Sequence, residues 1–186
     1  MVKKISSKTV ADFLRWQDYL VFSPEALKST PRPKKLRGKH VPEDLNDLTL
    51  GQLMQLQTIK DEKGLFFKAP EVILGMTPAE VLKCPTVPFF GFINFVSQEL
   101  QRIVAMWEQC SAPPTPEQLE AGILTLNPGP FGVIDTWALR MGFTDHNEAE
   151  KTKWIVVWQC LKIDADKAAY ERRYQAVIER KTKTRR

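Results

Sequence analysis

A mainly α-helical fold is what this 186-residue sequence predicts: a compact bundle of short capped helices around one long aromatic-rich helix, preceded by a basic N-terminal arm. Three observations predict it. Thr49, Thr77 and Thr115 are each followed three residues later by Gln52, Glu80 and Gln118. That is the spacing of a capping box, in which two side chains satisfy the free N–H groups at a helix start. The stretch from Pro88 to Gln109 carries Phe89, Phe92, Ile93, Val96, Leu100, Ile103, Val104 and Trp107 at helical spacing. Strand evidence is confined to "GILTLN", residues 122–127, as the one plausible short strand.

The elements follow in order. From Thr9 to Phe22 the apolar residues Val10, Phe13, Leu14, Trp16, Leu20 and Val21 fall mostly on one helical face, and Ser23-Pro24-Glu25 restarts a short turn of helix. "KSTPRPKKLRGKHVPED", residues 28–44, holds three prolines, one glycine and six Lys/Arg. It reads as an arm or linker without a core of its own. A boundary is therefore expected near residue 42, with a helix and basic Pro-rich arm over 1–41, a helical domain over 42–180 and a basic tail over 181–186. In "LNDLTLGQLMQLQ", residues 45–57, Thr49 is the N-cap, and Leu48 and Leu53 occupy the two positions of a hydrophobic staple. Ala69 to Leu74 forms a short helix closed by Gly75. Pro78 takes the first helical position after Thr77, with Met76 and Val81 as staple, and that helix ends before Pro85. Pro88 to Gln109 is the central helix, its apolar face widened by Phe90 and Phe95. "SAPPTP", 111–116, is a loop, and "LNPGPFG", 126–132, is a turn. Phe131 to Met141 is a helix closed by Gly142. Thr144 caps a last helical region that runs to Arg180 with one break near Ile163.

Composition narrows the function classes. The 43% hydrophobic and 26% charged content is ordinary for a globular protein, and the length suits one domain with extensions. The most apolar stretch, Val87 to Val96, is about half a membrane span, so no transmembrane helix is expected. The N-terminus, "MVKKISSKTV", lacks the apolar segment of a secretory signal. Cys84, Cys110 and Cys160 are far apart and odd in number, which suits free, largely buried thiols in a reducing cytosol. Charge is unevenly spread. Residues 1–40 carry ten Lys/Arg against three Asp/Glu, residues 41–171 ten against eighteen, and residues 172–186 seven against one. An acidic body with basic ends can bind its own copies head to tail, or touch nucleic acid through the ends.

Catalytic chemistry is sparse. Neither GxGxxG after a strand nor GxxxxGK[ST] occurs, so no phosphate cradle and no cofactor are expected. Of the two histidines, His40 sits in the basic arm and His146 at a helix start. Asp145, His146 and Glu150 could reach one metal ion, but acidic residues in a first turn more often complement the helix dipole. No Ser or Cys stands in a nucleophile elbow. Triads assemble in space, so an enzyme stands as the third reading; the favoured expectation is a non-enzymatic protein. Candidate docking residues for a partner or for phosphate are Arg32, Lys34, Lys35, Arg37 and Lys39 in the arm, and Arg180, Lys181, Lys183, Arg185 and Arg186 in the tail. No aromatics interleave with them, so nucleic-acid contact would be non-specific and salt-sensitive. Tyr170 and Tyr174, four apart on a helix otherwise rich in Arg, Glu and Lys, are interface candidates; Trp137, Trp154 and Trp158 read as core.

Three stretches together resemble a family: "LTLGQLMQLQTIKD" (48–61), "APEVILGMTPAEVLKCPTVPFFGFINFV" (69–96) and "GPFGVIDTWALRMGFTDHNEAEKTKWIVVWQCLKIDADKAAYERRYQ" (129–175). Their order is similar to that of small helical proteins from the tail modules of tailed bacteriophages, often described as tail-assembly-chaperone-like, with examples in phages of gut Bacteroidetes, including crAss-like phages. The resemblance covers roughly residues 45–175 and carries no catalytic signature. It implies a protein that binds other phage proteins, either holding tail subunits before assembly in the host cytoplasm or remaining in the virion as a structural component. The basic ends lie outside it and fit a particle component near packaged DNA better than a transient chaperone. The expectation is thus a phage tail or neck assembly protein, homo-oligomeric in its assembly, with no membrane partner. A non-specific nucleic-acid-binding adaptor is the alternative.

Overall fold

The computed structural model describes residues 9–16, 30–59, 61–110, 113–126 and 128–184. The continuation of the first helix beyond Trp16, and the turn expected at Ser23-Pro24-Glu25, lie outside them. Among the described residues, helix α1 covers Val10–Trp16. Thr9 caps it by pairing with Asp12, whose carboxylate accepts from the Thr9 N–H at 3.1 Å. A hairpin follows, β1 (Lys35–Leu36) and β2 (Lys39–His40). Then come α2 (Leu50–Gln57), α3 (Glu62–Leu74), α4 (Pro78–Leu82) and α5 (Thr86–Glu108). The chain closes with α6 (Pro116–Glu120), α7 (Gly129–Met141), α8 (His146–Lys151) and α9 (Trp154–Thr184). The fold is mainly helical.

The capping logic holds at all three threonines. Thr49, Thr77 and Thr115 each accept from the backbone N–H three residues on, and Gln52, Glu80 and Gln118 reach back to the cap. Both staple pairs, Leu48 with Leu53 and Met76 with Val81, are buried. Gly75 and Gly142 close α3 and α7 in the left-handed conformation, at φ 59° and 69°. Such a φ is strained for any residue with a Cβ.

Helix α5 is the centre. Phe89, Phe92, Val96 and Ile103 are fully buried along one face. Phe66 of α3 meets Phe89 and Phe90 edge-on, with centroids 5.7 and 5.5 Å apart, and Phe13 of α1 meets Phe90 at 4.9 Å. Edge-to-face pairs of this kind add about 0.5–1.5 kcal/mol beyond area burial. The third face is closed by α9, whose Trp154 is fully buried and lies 6.5 Å from Trp107.

Four expectations are corrected. The basic arm does not lack a core: Leu36 and Val41 are buried in the same cluster as α5, so no packing gap falls near residue 42. The arm turns as a two-residue hairpin, with Arg37 and Gly38 at φ 47° and 82°, a turn whose twist matches its strands. Before that turn the arm crosses α5 where Gly91 has no side chain; a Cβ there would collide with the Pro31 carbonyl oxygen. "GILTLN" is not a strand. Ile123–Thr125 is a turn of 3-10 helix, because no strand among the described residues lies alongside to pair its backbone. Helix α3 starts seven residues earlier than Ala69, capped by Asp61, so Pro70 stands in its interior rather than its first turn. The break in the last helical region falls at Thr152 and Lys153, not near Ile163, and its cap is Asp145 rather than Thr144. There the chain bridges Thr49 antiparallel to Lys153. The Leu50 N–H donates to the Thr152 carbonyl at 2.7 Å, and the Trp154 N–H donates to the Leu48 carbonyl at 3.1 Å. Past that bridge nothing interrupts the helix.

Two outcomes are expected. Gly91→Ala gains helix propensity but loses more by overpacking the crossing. It should destabilise the fold by about 1–3 kcal/mol and speed amide exchange across 34–41. Glu99 supplies a pH dependence. Partial burial alone would raise its pKa, but the Arg102 hydrogen bond, the Leu45 N–H and the Arg102 charge together hold it below the ordinary value. A depressed folded-state pKa stabilises fully above the unfolded value of about 4.3, and that contribution disappears as pH falls through the folded value. Urea midpoints measured against pH should fall in this acid window. They should fall less steeply in Glu99→Gln, which starts from a lower midpoint at pH 7.

Candidate functional site

The last helix carries the surface that most needs a partner. Its first turns are fixed from three sides. The Trp154 indole N–H donates to the Leu45 carbonyl at 2.7 Å, and that of Trp158 donates to the Met106 carbonyl at 2.7 Å. Arg140 of α7 grips Asp164 through two N–H groups at 2.6 and 3.2 Å. From Asp166 to Thr184 every side chain except Ala169 is exposed. Beyond Ala168, the last residue of the helix to line a groove with the body, α9 projects for about 24 Å, at 1.5 Å per residue.

Helix formation there is well supported locally. Ala165, Ala168, Ala169 and Ala176 alternate with Lys, Arg, Glu and Gln, all strong helix formers. Lys162 pairs with Asp166 at 2.5 Å, and Lys181 and Lys183 in the last turn favour the negative end of the helix dipole. What local propensity does not explain is the pattern of apolar residues. Val156, Ile163, Tyr170 and Val177 recur at intervals of seven and are all exposed, with Tyr170 at 59%. Tyr174 and Ile178 fill the same side, also exposed. Seven residues turn through about 700°, only about 20° short of two full turns, so the four form one stripe. The face turned the other way begins with Leu161, Ala165 and Ala168 against the body and continues outward as Arg172, Gln175 and Glu179. The stripe therefore points away from the core, and the projecting helix is amphipathic toward solvent. The rings of Tyr170 and Tyr174 lie side by side, 6.2 Å apart and 18° from parallel.

The basic candidates divide into two groups. Three arm residues are spent on the fold. Arg32 donates to the Val41 and Pro42 carbonyls at 3.0 and 2.7 Å and lies over the Phe95 ring. Arg37 donates to the Lys83 carbonyl just past α4, and Lys39 to the Gly75 carbonyl just past α3. These cations serve the electronegative ends of two helices. Lys34 and Lys35 are exposed, as are Arg180, Lys181 and Lys183 at the end of α9. Arg185 and Arg186 lie outside the described residues. Among the described residues, three of the five arm candidates are thus held by the body, while the tail candidates lie at the end of α9.

The remaining candidates stay apart. His146 pairs with Asp135 at 3.0 Å and leans on Phe131, both partners being half exposed. Asp145 caps α8 through the Asn147 N–H, and Glu150 packs beside Gly51. No cluster of three or more metal-ligating side chains occurs among the described residues. Burial pushes the Cys84 thiol up to about 11 and raises that of Cys110, the opposite of the depressed value that activates a catalytic thiol. No helix among the described residues is long and apolar enough to cross a membrane. An open apolar groove also runs between α2, α5, α7 and α9, lined by Met54, Leu100, Val104, Trp107, Val133 and Leu161. Beside it the Trp107 indole N–H is buried without a hydrogen-bond partner among the described residues.

The sequence pointed to Tyr170 and Tyr174 but missed Val156, Ile163, Val177 and Ile178. The seven-residue spacing was the available signal; an expected break near Ile163 hid it. No family model matches the chain, and neither a curated protein nor a solved structure matches it.

Because the stripe supports nothing in the body, Tyr170→Ala with Tyr174→Ala should leave the thermal midpoint of the fold almost unchanged, within about 0.5 kcal/mol per substitution. Differential scanning calorimetry on dilute protein checks this, and a large loss would place the tyrosines in the core instead.

Proposed function

We propose that this chain is a non-enzymatic assembly protein that works through protein–protein contacts, with the projecting half of α9 as its contact element. The observation that carries the reading is the exposed stripe Val156, Ile163, Tyr170, Tyr174 and Val177 on the face of α9 turned away from the body. Contiguous apolar surface of this kind on a folded domain marks an interaction site, and tyrosines are among the residues that dominate interface energies. The resemblance to tail-module proteins of tailed bacteriophages supplies the setting: assembly of the tail or neck, as a virion component or as a chaperone for tail subunits.

The nucleic-acid alternative loses ground at the arm. Arg32, Arg37 and Lys39 are committed to backbone carbonyls of the fold, which leaves Lys34 and Lys35 and the tip of α9 to meet phosphate.

The test is co-purification. The tagged chain, expressed in cells where the particles are being built, should bring down particle structural proteins in fixed ratio. Tyr170→Asp with Tyr174→Asp should reduce that yield at least tenfold while the variant stays folded by circular dichroism. Equal recovery with the variant, or none with the natural chain, would contradict the proposal.

A further inference from the structure

The contact reading leaves open what covers the stripe, and the geometry points to α9 of a second copy of this chain. Resting on the reading above, we propose that two copies pair their last helices antiparallel, as a two-stranded coiled coil centred between Tyr170 and Tyr174.

The spacing comes first. Val156, Ile163, Tyr170 and Val177 recur every seven residues, and Cys160, Lys167, Tyr174 and Lys181 fall four residues after each of them. Together they make the alternating three-and-four seam along which one helix wraps another. The seam runs nearly the whole 31-residue helix. A partner must offer a seam of similar length, and α9 itself does.

Charge then chooses the direction. Residues 162–171 hold Asp164, Asp166 and Glu171 against Lys162 and Lys167, and residues 172–184 hold Arg172, Arg173, Arg180, Lys181 and Lys183 against Glu179. A parallel pair would set Asp166 beside Glu171 of the other copy and gather Arg180, Lys181 and Lys183 of both copies at one end. The antiparallel pair separates the tips and sets Asp166 of each copy beside Arg180 of the other. In that register Tyr170 meets Tyr174 of the other copy twice, by symmetry, as a two-fold interface requires. Ile163 then lies opposite Lys181, and Val177 opposite Lys167, whose apolar stems cover them while the ammonium groups reach water. Two lysines inside the seam make other registers unfavourable, as polar seam residues do. Arg173 and Glu171 meet their own counterparts on the solvated flanks, where like charges cost little.

Two measurements on the full-length chain test the pairing. Analytical ultracentrifugation should find a dimer at tens of micromolar that dissociates on dilution, and a folded monomer for Tyr170→Asp with Tyr174→Asp. Direction is read with Thr184→Cys and a short bismaleimide. Cys160 and residue 184 are about 36 Å apart along one helix, so a link between them arises only between copies. Peptide mapping should recover that link. A link of 184 to 184, a dimer that survives the tyrosine substitutions, or a monomer at every concentration overturns the proposal. A monomer that still captures particle proteins through Tyr170 and Tyr174 overturns the self-pairing and leaves the assembly reading standing. A stripe-dependent dimer that captures none supports the pairing and removes that reading.

Discussion

Six residues, 45 to 50, hold the molecule together. They have little regular structure of their own, so each backbone group needs a partner elsewhere. The Leu45 N–H donates to Glu99 of α5, and the Leu45 carbonyl accepts the buried Trp154 indole N–H. Asn46 accepts from Arg102 at 2.8 Å, whose guanidinium also lies over the Trp154 ring. The Leu48 carbonyl and Leu50 N–H bridge to Trp154 and Thr152. One short segment thereby ties α2, α5 and α9 to each other. Each neutral bond nets only about 1 kcal/mol, but losing a buried tryptophan costs about 3–5. Against a total stability of about 5–15 kcal/mol, the Trp154 anchor is the part the fold can least spare. The exposed Asp47–Lys153 pair beside it adds little.

That clasp explains how a domain can carry a helix half outside itself. Val157, Trp158 and Asp164 continue the anchorage, and the body ends where Ala165 and Ala168 leave the groove. Beyond that point α9 has helix-forming residues and no tertiary support. Helices in proteins draw most of their stability from packing an apolar face, so a partner seated on the stripe would do more than be recognised. On the proposed pairing, it would give the projecting helix the packing that the body withholds.

Much of the fold could be read from residues because it is specified locally. Thr49, Thr77 and Thr115 announce their helices through contacts three residues away, and Gly75 and Gly142 end theirs through a backbone conformation few other residues take. Where the outcome depended on distant contacts, the reading failed. Nothing within "PRPKKLRGKHV" says that Leu36 and Val41 will be buried, because the surface that buries them comes from α5 and its neighbours. The break at Thr152 exists because Leu48 and Leu50, a hundred residues earlier, hold the chain extended there. The arm cations looked like a docking patch for the same reason: Arg37 and Lys39 find their carbonyls at the ends of α3 and α4. Tyr170 and Tyr174 could be singled out because their neighbours are charged, yet the stripe they belong to became clear only once α9 was seen to run unbroken through Ile163.

The central claim is that the body ends near residue 168 and that the helix beyond it is stabilised from outside. Amide hydrogen exchange along α9, read by mass spectrometry over a hundredfold range of protein concentration, tests it most directly. The account predicts slow exchange at 154–160 throughout, and at 166–184 protection that appears at high concentration and is lost on dilution. Protection of 166–184 that does not change with concentration would mean that the helix supports itself or packs on its own body, and would contradict the account.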